Sequence, residues 1–289
     1  MMDMATIEAL TRGRFGTIDV ACPLCGPDRR SPINRRRPVL RVWRDEPDFA
    51  TFCCARCGES GFVTTRSGPG ERRPPFVDPA VKAEIAAREH KARGERLDLA
   101  RWLWSRREDA HGTPAEIYLR ARGYHGRIPD TLAYLPPSGE HPPAMIAGFG
   151  LADEPEPGSV SLPELLLVGV HLTKLRRDGS GKAGTEKDKI MVGHSRGSPI
   201  VLAPMNDLLG LAIIEGIEKG LALFQATGLG VWAAGAAARM PALAPTVPSY
   251  ADCVTVYADD DKDGLRHALA LRDGLRQRGL FAETQIRRD

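Results

Sequence analysis

Residues 206–289 alternate short apolar segments with helical patterns, and this alternation most constrains the fold. Segments rich in β-branched residues occupy 211–214, 228–233, 253–258 and 281–286, with helical patterns at 217–227, 237–243 and 265–278 between them. Strands that alternate with helices indicate a mainly parallel sheet covered on both faces. The pattern therefore predicts an α/β domain with a four-stranded, mainly parallel sheet flanked by helices.

Acidic residues directly follow two of these strands. Glu215 follows the first strand, while Asp259 and Asp261 follow the third, 44 residues further along the chain. Ligands of such sheets gather beyond the carboxyl ends of the strands, and carboxylate oxygens suit hard divalent cations. We therefore expect a Mg²⁺ or Mn²⁺ site at these three acids. Glu218 and Asp263 have two open interpretations, as further ligands or as acids that favour a helix N-terminus.

These acids also carry a family resemblance. Glu-Gly-Ile-Glu at 215–218 and Asp-Asp-Asp-Lys-Asp-Gly at 259–264 resemble the Toprim domain of bacterial-type primases, topoisomerases and some nucleases. Phages, plasmids and other mobile elements carry a similar variant. The resemblance implies that Glu215, Asp259 and Asp261 bind catalytic cations, and that Gly216 and Gly264 permit tight turns.

Two Cys-x-x-Cys-Gly motifs near the front of the chain predict a zinc site. Cys22 and Cys25 form the first pair and Cys54 and Cys57 the second, with 28 residues between the pairs. Two such pairs can complete a tetrahedral Zn²⁺ site, and paired disulfides are the alternative. Because the sequence shows no secretory or transmembrane segment, we expect a cytoplasmic protein, in which disulfides are rare. Cys53 competes with Cys54 as a ligand, but the repeated motif favours Cys54.

The segment between the cysteine pairs is strongly basic. It carries seven arginines between positions 29 and 44, including Arg35, Arg36 and Arg37, and residues 1–77 have a net charge of +4 against −3 for 123–289. Arginines contact phosphates, and the aromatic side chains of Trp43 and Phe52 can stack on bases. This predicts a nucleic-acid surface, with a solvated basic surface as the alternative. The two cysteine pairs and the basic segment between them, here called the zinc ribbon, resemble the zinc module with which bacterial-type primases read single-stranded template. In that module a histidine usually stands where this chain has Cys25.

The Pro- and Gly-rich segment at 68–75 marks the clearest domain boundary. We expect the following parts: zinc ribbon 1–66, linker 67–78, helical segment 79–125, basic primase-core subdomain 126–205 and Toprim domain 206–289. Tyr-Leu-Arg-Ala-Arg-Gly at 118–123 resembles an element of mobile-element primases. In that family the middle region is a basic subdomain that grips template and nucleotide. By position the candidates for this grip are Lys174, Arg176, Lys187 and Lys189, with plain solvent exposure as the alternative.

The leading functional hypothesis is RNA primer synthesis on single-stranded DNA in phage- or plasmid-type replication. Divalent cations held by Glu215, Asp259 and Asp261 would assist attack of a 3′-hydroxyl on a ribonucleoside triphosphate. Structural Zn²⁺ and catalytic Mg²⁺ or Mn²⁺ are the expected cofactors. A separate replicative helicase is a candidate partner, and no membrane is expected. Two alternatives remain: a DNA-binding recombination or repair mediator without catalysis, and a metal-dependent Toprim nuclease.

Overall fold

The structure is a computed structural model that describes residues 2–26, 37–65, 79–156 and 158–287. The chain divides into two compact units, Met1–Lys91 and Ala92–Asp289. In the described ranges, no helix combines the length and apolar composition needed to cross a lipid bilayer.

The first unit is a small antiparallel sheet with one short helix. Helix α1 spans Met4–Thr11, and the strands are β1 Gly16–Ala21, β2 Pro38–Glu46, β3 Phe49–Cys54 and β4 Ser60–Thr64, in the spatial order β1-β2-β3-β4. Alternate residues of β2 and β3, such as Leu40 and Val42, are buried. They pack with Ile7 and with the cysteine side chains into one core. This period of two is what a sheet with one buried face requires.

The second unit begins within a long helix and continues into an antiparallel sheet. Helix α2 spans Pro79–Ser105 and α3 spans Pro114–Ala121. Strands β5 Leu132–Leu135, β6 Ala144–Phe149, β7 Gly169–Lys174 and β8 Lys189–Gly193 pair in sequence order, and a 3₁₀ helix at Glu164–Leu166 lies between β6 and β7.

The remaining elements form an α/β sheet. They are β9 Ile200–Ala203, β10 Gly210–Ile214, α4 Ile217–Thr227, β11 Gly230–Ala233, a 3₁₀ helix Ala237–Thr246, β12 Cys253–Asp259, α5 Lys262–Gln277 and β13 Ala282–Arg287. The strand order is β13-β12-β10-β11-β9. Strands β10 to β13 run parallel, and β9 pairs antiparallel with β11.

Both faces of this sheet are buried, as the apolar runs predict. Ala212 and Ile214 belong to a core shared with α4 and with Met145 of β6, whereas Leu211 and Ile213 pack on the opposite face with residues of α5. The antiparallel sheet and the α/β sheet therefore share one core, which brings their side chains within contact distance.

The expected mixed α/β class and the parallel C-terminal sheet are confirmed. Helix α4 matches the expected bounds, because Gly216 precedes its first turn and Gly228 ends it with φ 66°. Two features differ from expectation. Strand β9 adds a fifth, antiparallel member, and the segment expected as a helix at 237–243 is a 3₁₀ helix reaching Thr246. Pro241 and Pro245 lie inside it, and proline lacks the N–H that a continuing α-helix needs.

Candidate functional site

The four predicted zinc ligands converge in the first unit. The Sγ atoms of Cys22, Cys25, Cys54 and Cys57 all lie within 4.8 Å of one another. Cys22 Sγ is 4.0 Å from Cys57 Sγ, and Cys25 Sγ is 3.8 Å from Cys54 Sγ. A tetrahedral zinc ion with sulfurs at about 2.3 Å requires neighbouring sulfurs roughly 3.8 Å apart. The cluster therefore has the dimensions of a zinc ribbon, and Cys53 is exposed outside it.

The surroundings of these thiols also fit a cation. Burial, together with the neighbouring thiols of Cys22 and Cys57, raises the pKa of Cys25 to about 12. The backbone N–H groups of Arg56 and Cys57 point at Cys54 Sγ, at 3.4 Å and 3.5 Å. Such N–H groups stabilise a thiolate, and a bound cation reverses the cost of placing several thiolates together.

The three predicted acids lie at the carboxyl ends of two neighbouring parallel strands. Glu215 lies in the turn between β10 and α4, and Asp259 is the last residue of β12. Asp261 precedes α5 and caps it, since its Oδ1 accepts a 2.6 Å hydrogen bond from the Gly264 amide. One oxygen of Asp261 therefore caps α5, and the second oxygen of the same carboxylate remains for a cation.

The charges at this edge act on one another. Burial raises the pKa of Glu215, and the negative charges of Asp259 and Asp261 raise it further, against the opposing effect of Lys189 and Lys219. Repulsion between neighbouring carboxylates is the condition that a divalent cation relieves. The donor set thus fits Mg²⁺ or Mn²⁺. In the described residues the three acids do not approach one another as closely as the cysteine sulfurs do.

A lysine that the sequence analysis did not single out enters this group. Lys219 Nζ lies 2.9 Å from Asp259 Oδ1, with the two side chains 35% and 25% exposed. Lys219 belongs to the first turn of α4, four residues after Glu215. The sequence could have indicated this position, because Lys219 follows Glu215 by four residues and so lies on the first helix turn after the predicted metal ligand.

Glu218 faces the middle subdomain. The Tyr118 hydroxyl donates a 2.7 Å hydrogen bond to Glu218 Oε1, and Lys189 Nζ lies 3.5 Å from Oε2. Burial raises the pKa of Glu218, but Lys189, the backbone and Tyr118 together outweigh it and leave that pKa lowered. Both carboxylate oxygens therefore have partners. The sequence predicts that Glu218 either binds metal or favours the helix N-terminus. These contacts favour neither role, because both oxygens already bind other side chains, Tyr118 and Lys189.

Two further residues of the middle subdomain lie near this contact. The half-buried Lys182 has its pKa lowered by burial and by Lys189, and its charge also acts on Glu218. It belongs to the Gly-rich segment 179–184, which lacks the spacing of a phosphate-binding P-loop. His171 is buried, its pKa is lowered to about 4 mainly by that burial, and its Nδ1 has no hydrogen-bond partner among the described residues. At neutral pH this histidine is uncharged.

The resemblance implies tight turns at Gly216 and Gly264, and of the two the backbone is closely approached only at Gly264. A Cβ on Gly264 would lie 3.1 Å from the Asp259 carbonyl oxygen and 3.2 Å from Asp261 Oδ1. A Cβ on Gly216 would meet only Glu218 Oε2 at an ordinary 3.8 Å, and its φ of −112° is open to any residue. The tight approach therefore belongs to the loop that joins Asp259 to Asp261.

The other basic candidates have varied positions. Lys174 ends β7 and is half-buried, and its backbone N–H bonds the Asp188 carbonyl; Arg176 and Lys187 are exposed. Asp263, on the first turn of α5, forms an exposed ion pair with Arg266 at 3.1 Å. Lys189 is the candidate that the structure brings to the acids.

In the ribbon, Arg35 and Arg36 lie outside the described residues, while Arg37 is exposed and Trp43 is 39% exposed. Phe52 is 7% exposed and packs into the ribbon core, so the expectation that it stacks on bases is wrong. Two other arginines of the basic segment already have partners. Arg41 binds both oxygens of Asp19, and the buried Arg44 binds Glu8.

Two family models match parts of the chain. A family model described as Toprim domain matches residues 210–285, and a model described as a domain of unknown function (DUF7146) matches residues 94–202. No curated protein gives a significant match to the chain.

Two solved structures are similar to the chain. One is the Aquifex aeolicus primase (zinc-binding and RNA polymerase domains), at 15% identity and a TM-score of 0.43, covering 100% of this chain and 77% of that chain. The other is the primase fragment of the bacteriophage T7 primase-helicase protein, at 10% identity and a TM-score of 0.37, covering 93% of this chain and 88% of that chain.

Residues 210–285 match the Toprim domain that the sequence pattern predicts. The recognition of such a domain, behind a four-cysteine cluster that fits a zinc ribbon, is confirmed.

Proposed function

We propose that this chain synthesises RNA primers on single-stranded DNA, as a Toprim-type primase of a phage, plasmid or other mobile element. The observation that carries the proposal is the position of Glu215, Asp259 and Asp261 at the carboxyl ends of two neighbouring parallel strands, with Lys189 near enough for its charge to act on Glu215. Carboxylates can hold divalent cations there, and a neighbouring lysine can bind the phosphates that react. Carboxylates together with a positively charged lysine suit nucleotidyl transfer.

Each residue has a distinct part in this proposal. Glu215, Asp259 and Asp261 would hold Mg²⁺ or Mn²⁺, which when bound supplies charge neutralisation and a lowered pKa for the attacking hydroxyl. Lys189, with Lys182 beside it, would bind phosphate groups of the triphosphate or the template. The nucleophile is the substrate's own 3′-hydroxyl, so the reaction requires no nucleophilic side chain.

The zinc ribbon supports the same proposal. A four-cysteine cluster with an exposed arginine and a partly exposed tryptophan suits contact with a single strand, where phosphates and base faces are both accessible. The ribbon would hold template, and the middle subdomain would hold nucleotide. The complete set of Toprim acids favours an enzyme over a mediator that only binds DNA.

The direct test is primer synthesis by the purified chain on single-stranded templates with labelled ribonucleotides and Mg²⁺ or Mn²⁺. We expect Glu215→Gln, Asp259→Asn and Asp261→Asn each to lower the rate at least about a hundredfold, with zinc content and circular dichroism unchanged. Asp273→Asn, on the exposed face of α5, is the matched control and should keep the wild-type rate.

Two outcomes would contradict this proposal. Wild-type rates in all three site variants would mean that these carboxylates only cap helices. Metal-dependent cleavage of DNA, without any joining of nucleotides, would assign the site to a nuclease.

A further inference from the structure

Lys219 occupies a position that ordinary helix electrostatics disfavour. It lies in the first turn of α4, where the partial positive charge of the helix dipole already accumulates. Cationic side chains are usually favoured in the last turn of a helix, so a lysine in the first turn needs a nearby negative charge to offset the helix dipole. One compensating charge is Asp259, whose Oδ1 lies 2.9 Å from Lys219 Nζ.

The ammonium group also reaches beyond this one partner. Its positive charge lowers the pKa of Glu215, against the raising effects of burial, Asp259 and Asp261. Lys219 thus acts electrostatically on two of the three acids proposed to hold metal. With roughly a third of its side chain exposed, it has room to leave Asp259 without breaking a packed core.

The neighbouring Glu218–Lys189 pair provides a contrast within the same helix turn. The Glu218 side chain is 16% exposed, against 25% for Asp259, and it also accepts a hydrogen bond from the Tyr118 hydroxyl. Asp259 is the last residue of β12, at the carboxyl edge of the sheet. Of the two paired carboxylates it is therefore the more accessible to a cation.

We propose that Lys219 is a tethered counter-ion, which neutralises Asp259 while no metal is bound and is displaced when a divalent cation enters. The proposal rests on the metal site of the proposed function. It adds that this chain carries its own competitor for the metal, so that divalent binding is weaker than the three acids alone would allow. The released ammonium would then be available to contact an incoming phosphate.

The test is a titration of the intact, zinc-loaded protein with Mn²⁺, followed by electron paramagnetic resonance and by calorimetry. Lys219→Met removes the charge and keeps most of the side-chain volume. We expect this variant to bind Mn²⁺ roughly threefold to tenfold more tightly, because a partly exposed ion pair is worth about 1 kcal/mol and no longer has to be broken. Lys219→Arg retains the charge and should bind Mn²⁺ as the wild type does.

Lys262→Met is the control for a general change of charge. Lys262 follows Asp261 directly and is exposed on the first turn of α5, so its loss alters the net charge of the same region. We expect a clearly smaller effect on Mn²⁺ affinity from this variant. Equal tightening in Lys219→Met and Lys262→Met would overturn the proposal, as would unchanged or weaker Mn²⁺ binding in Lys219→Met.

Thermal unfolding gives a second readout that does not depend on activity. In chelator, Lys219→Met should melt at a lower temperature than the wild type, because the carboxylates have lost their counter-ion. Saturating Mn²⁺ should close that gap, since the metal then neutralises the acids in both proteins. A gap that persists at saturation would show that Lys219 is purely structural.

Glu215→Gln and Asp259→Asn in the same titration separate the two proposals. If both variants weaken Mn²⁺ binding and Lys219→Met does not tighten it, only the counter-ion proposal fails. If neither variant changes Mn²⁺ binding, the metal site itself is absent, and both proposals fail together.

Discussion

Glu218 shows how neighbouring residues decide the role of a carboxylate. From the sequence alone Glu218 can be a metal ligand or an acid that favours a helix N-terminus, because both roles place an acid at the start of a helix. In the structure its two oxygens contact Tyr118 of helix α3 and Lys189 of strand β8. The interaction with Tyr118 joins residues 100 positions apart. The ion pair with Glu218 positions Lys189, and the charge of Lys189 in turn acts on Glu215.

The first prediction concerns this contact. Glu218→Gln should bind the wild-type number of Mn²⁺ ions but bind a fluorescent ribonucleoside triphosphate about fivefold more weakly, because Lys189 loses its charged partner. Tyr118→Phe removes only the hydroxyl and should cost about 1 kcal/mol of unfolding free energy. Glu215→Gln is the control that loses Mn²⁺. A comparable loss of Mn²⁺ in Glu218→Gln would make Glu218 a metal ligand after all.

At the scale of elements, the cysteine ribbon depends on two turns of one small sheet. Cys22 and Cys25 follow β1, while Cys54 ends β3 and Cys57 lies in the turn before β4. β1 and β3 pair antiparallel with β2 on its two sides, so both strands end beside the start of β2, at the same end of the sheet. The core beneath is small, with a few residues such as Leu40 and Phe52 around the sulfurs. Small domains of this size often require a metal for stability.

The second prediction follows from that dependence. Mass spectrometry of the purified protein should find about one zinc per chain, and Cys22→Ser or Cys57→Ser should lose it together with the ordered ribbon. Cys53→Ser is the matched control, because Cys53 adjoins Cys54 but is exposed on the other face of β3. If Cys53→Ser alone releases zinc, the ligand assignment is displaced by one residue.

At the scale of the whole molecule, charge is divided between the front of the chain and its end. Residues 1–77 carry a net +4, and residues 123–289 carry −3. A basic front attracts the phosphates of nucleic acid, whereas an acidic site repels them until cations neutralise it. The proposed function uses both properties: template affinity at the ribbon, and metal-dependent chemistry at the Toprim edge.

The third prediction tests the basic front. Replacing Arg35, Arg36 and Arg37 together by alanine should reduce the slope of log affinity against log salt for single-stranded DNA by roughly one to two units, since each phosphate contact contributes about 0.7. The control Arg266→Ala with Arg272→Ala removes two arginines that already pair with aspartates on α5. Its slope should stay at the wild-type value. An unchanged slope in the triple variant would place the template on the middle subdomain.

The local features of this protein were determined by its sequence. Strand–helix alternation predicted the α/β sheet, because residues 211–214 are apolar on both faces and only a covered parallel strand accommodates that. The position of Glu215 and Asp259 at strand ends follows from the same alternation. The cysteine spacing predicted the cluster, since a Cys-x-x-Cys turn already places two sulfurs on one side of a bend.

Tertiary structure decided which groups meet across long separations in the chain. Tyr118 and Lys182 came near Glu218 only when the elements before β9 packed against the α/β sheet in one core, which no local pattern reveals. Lys219 and Asp259, 40 residues apart, met within the α/β domain itself, between α4 and the end of β12. Burial removed Phe52 from the candidate stacking residues, and ion pairing engaged Arg41 and Arg44. Charges and hydrogen bonds depend on distance in space, and those distances are set by packing between elements. The sequence therefore determined which residues can bind metal ions. Packing decided which other side chains lie close enough to pair with those residues.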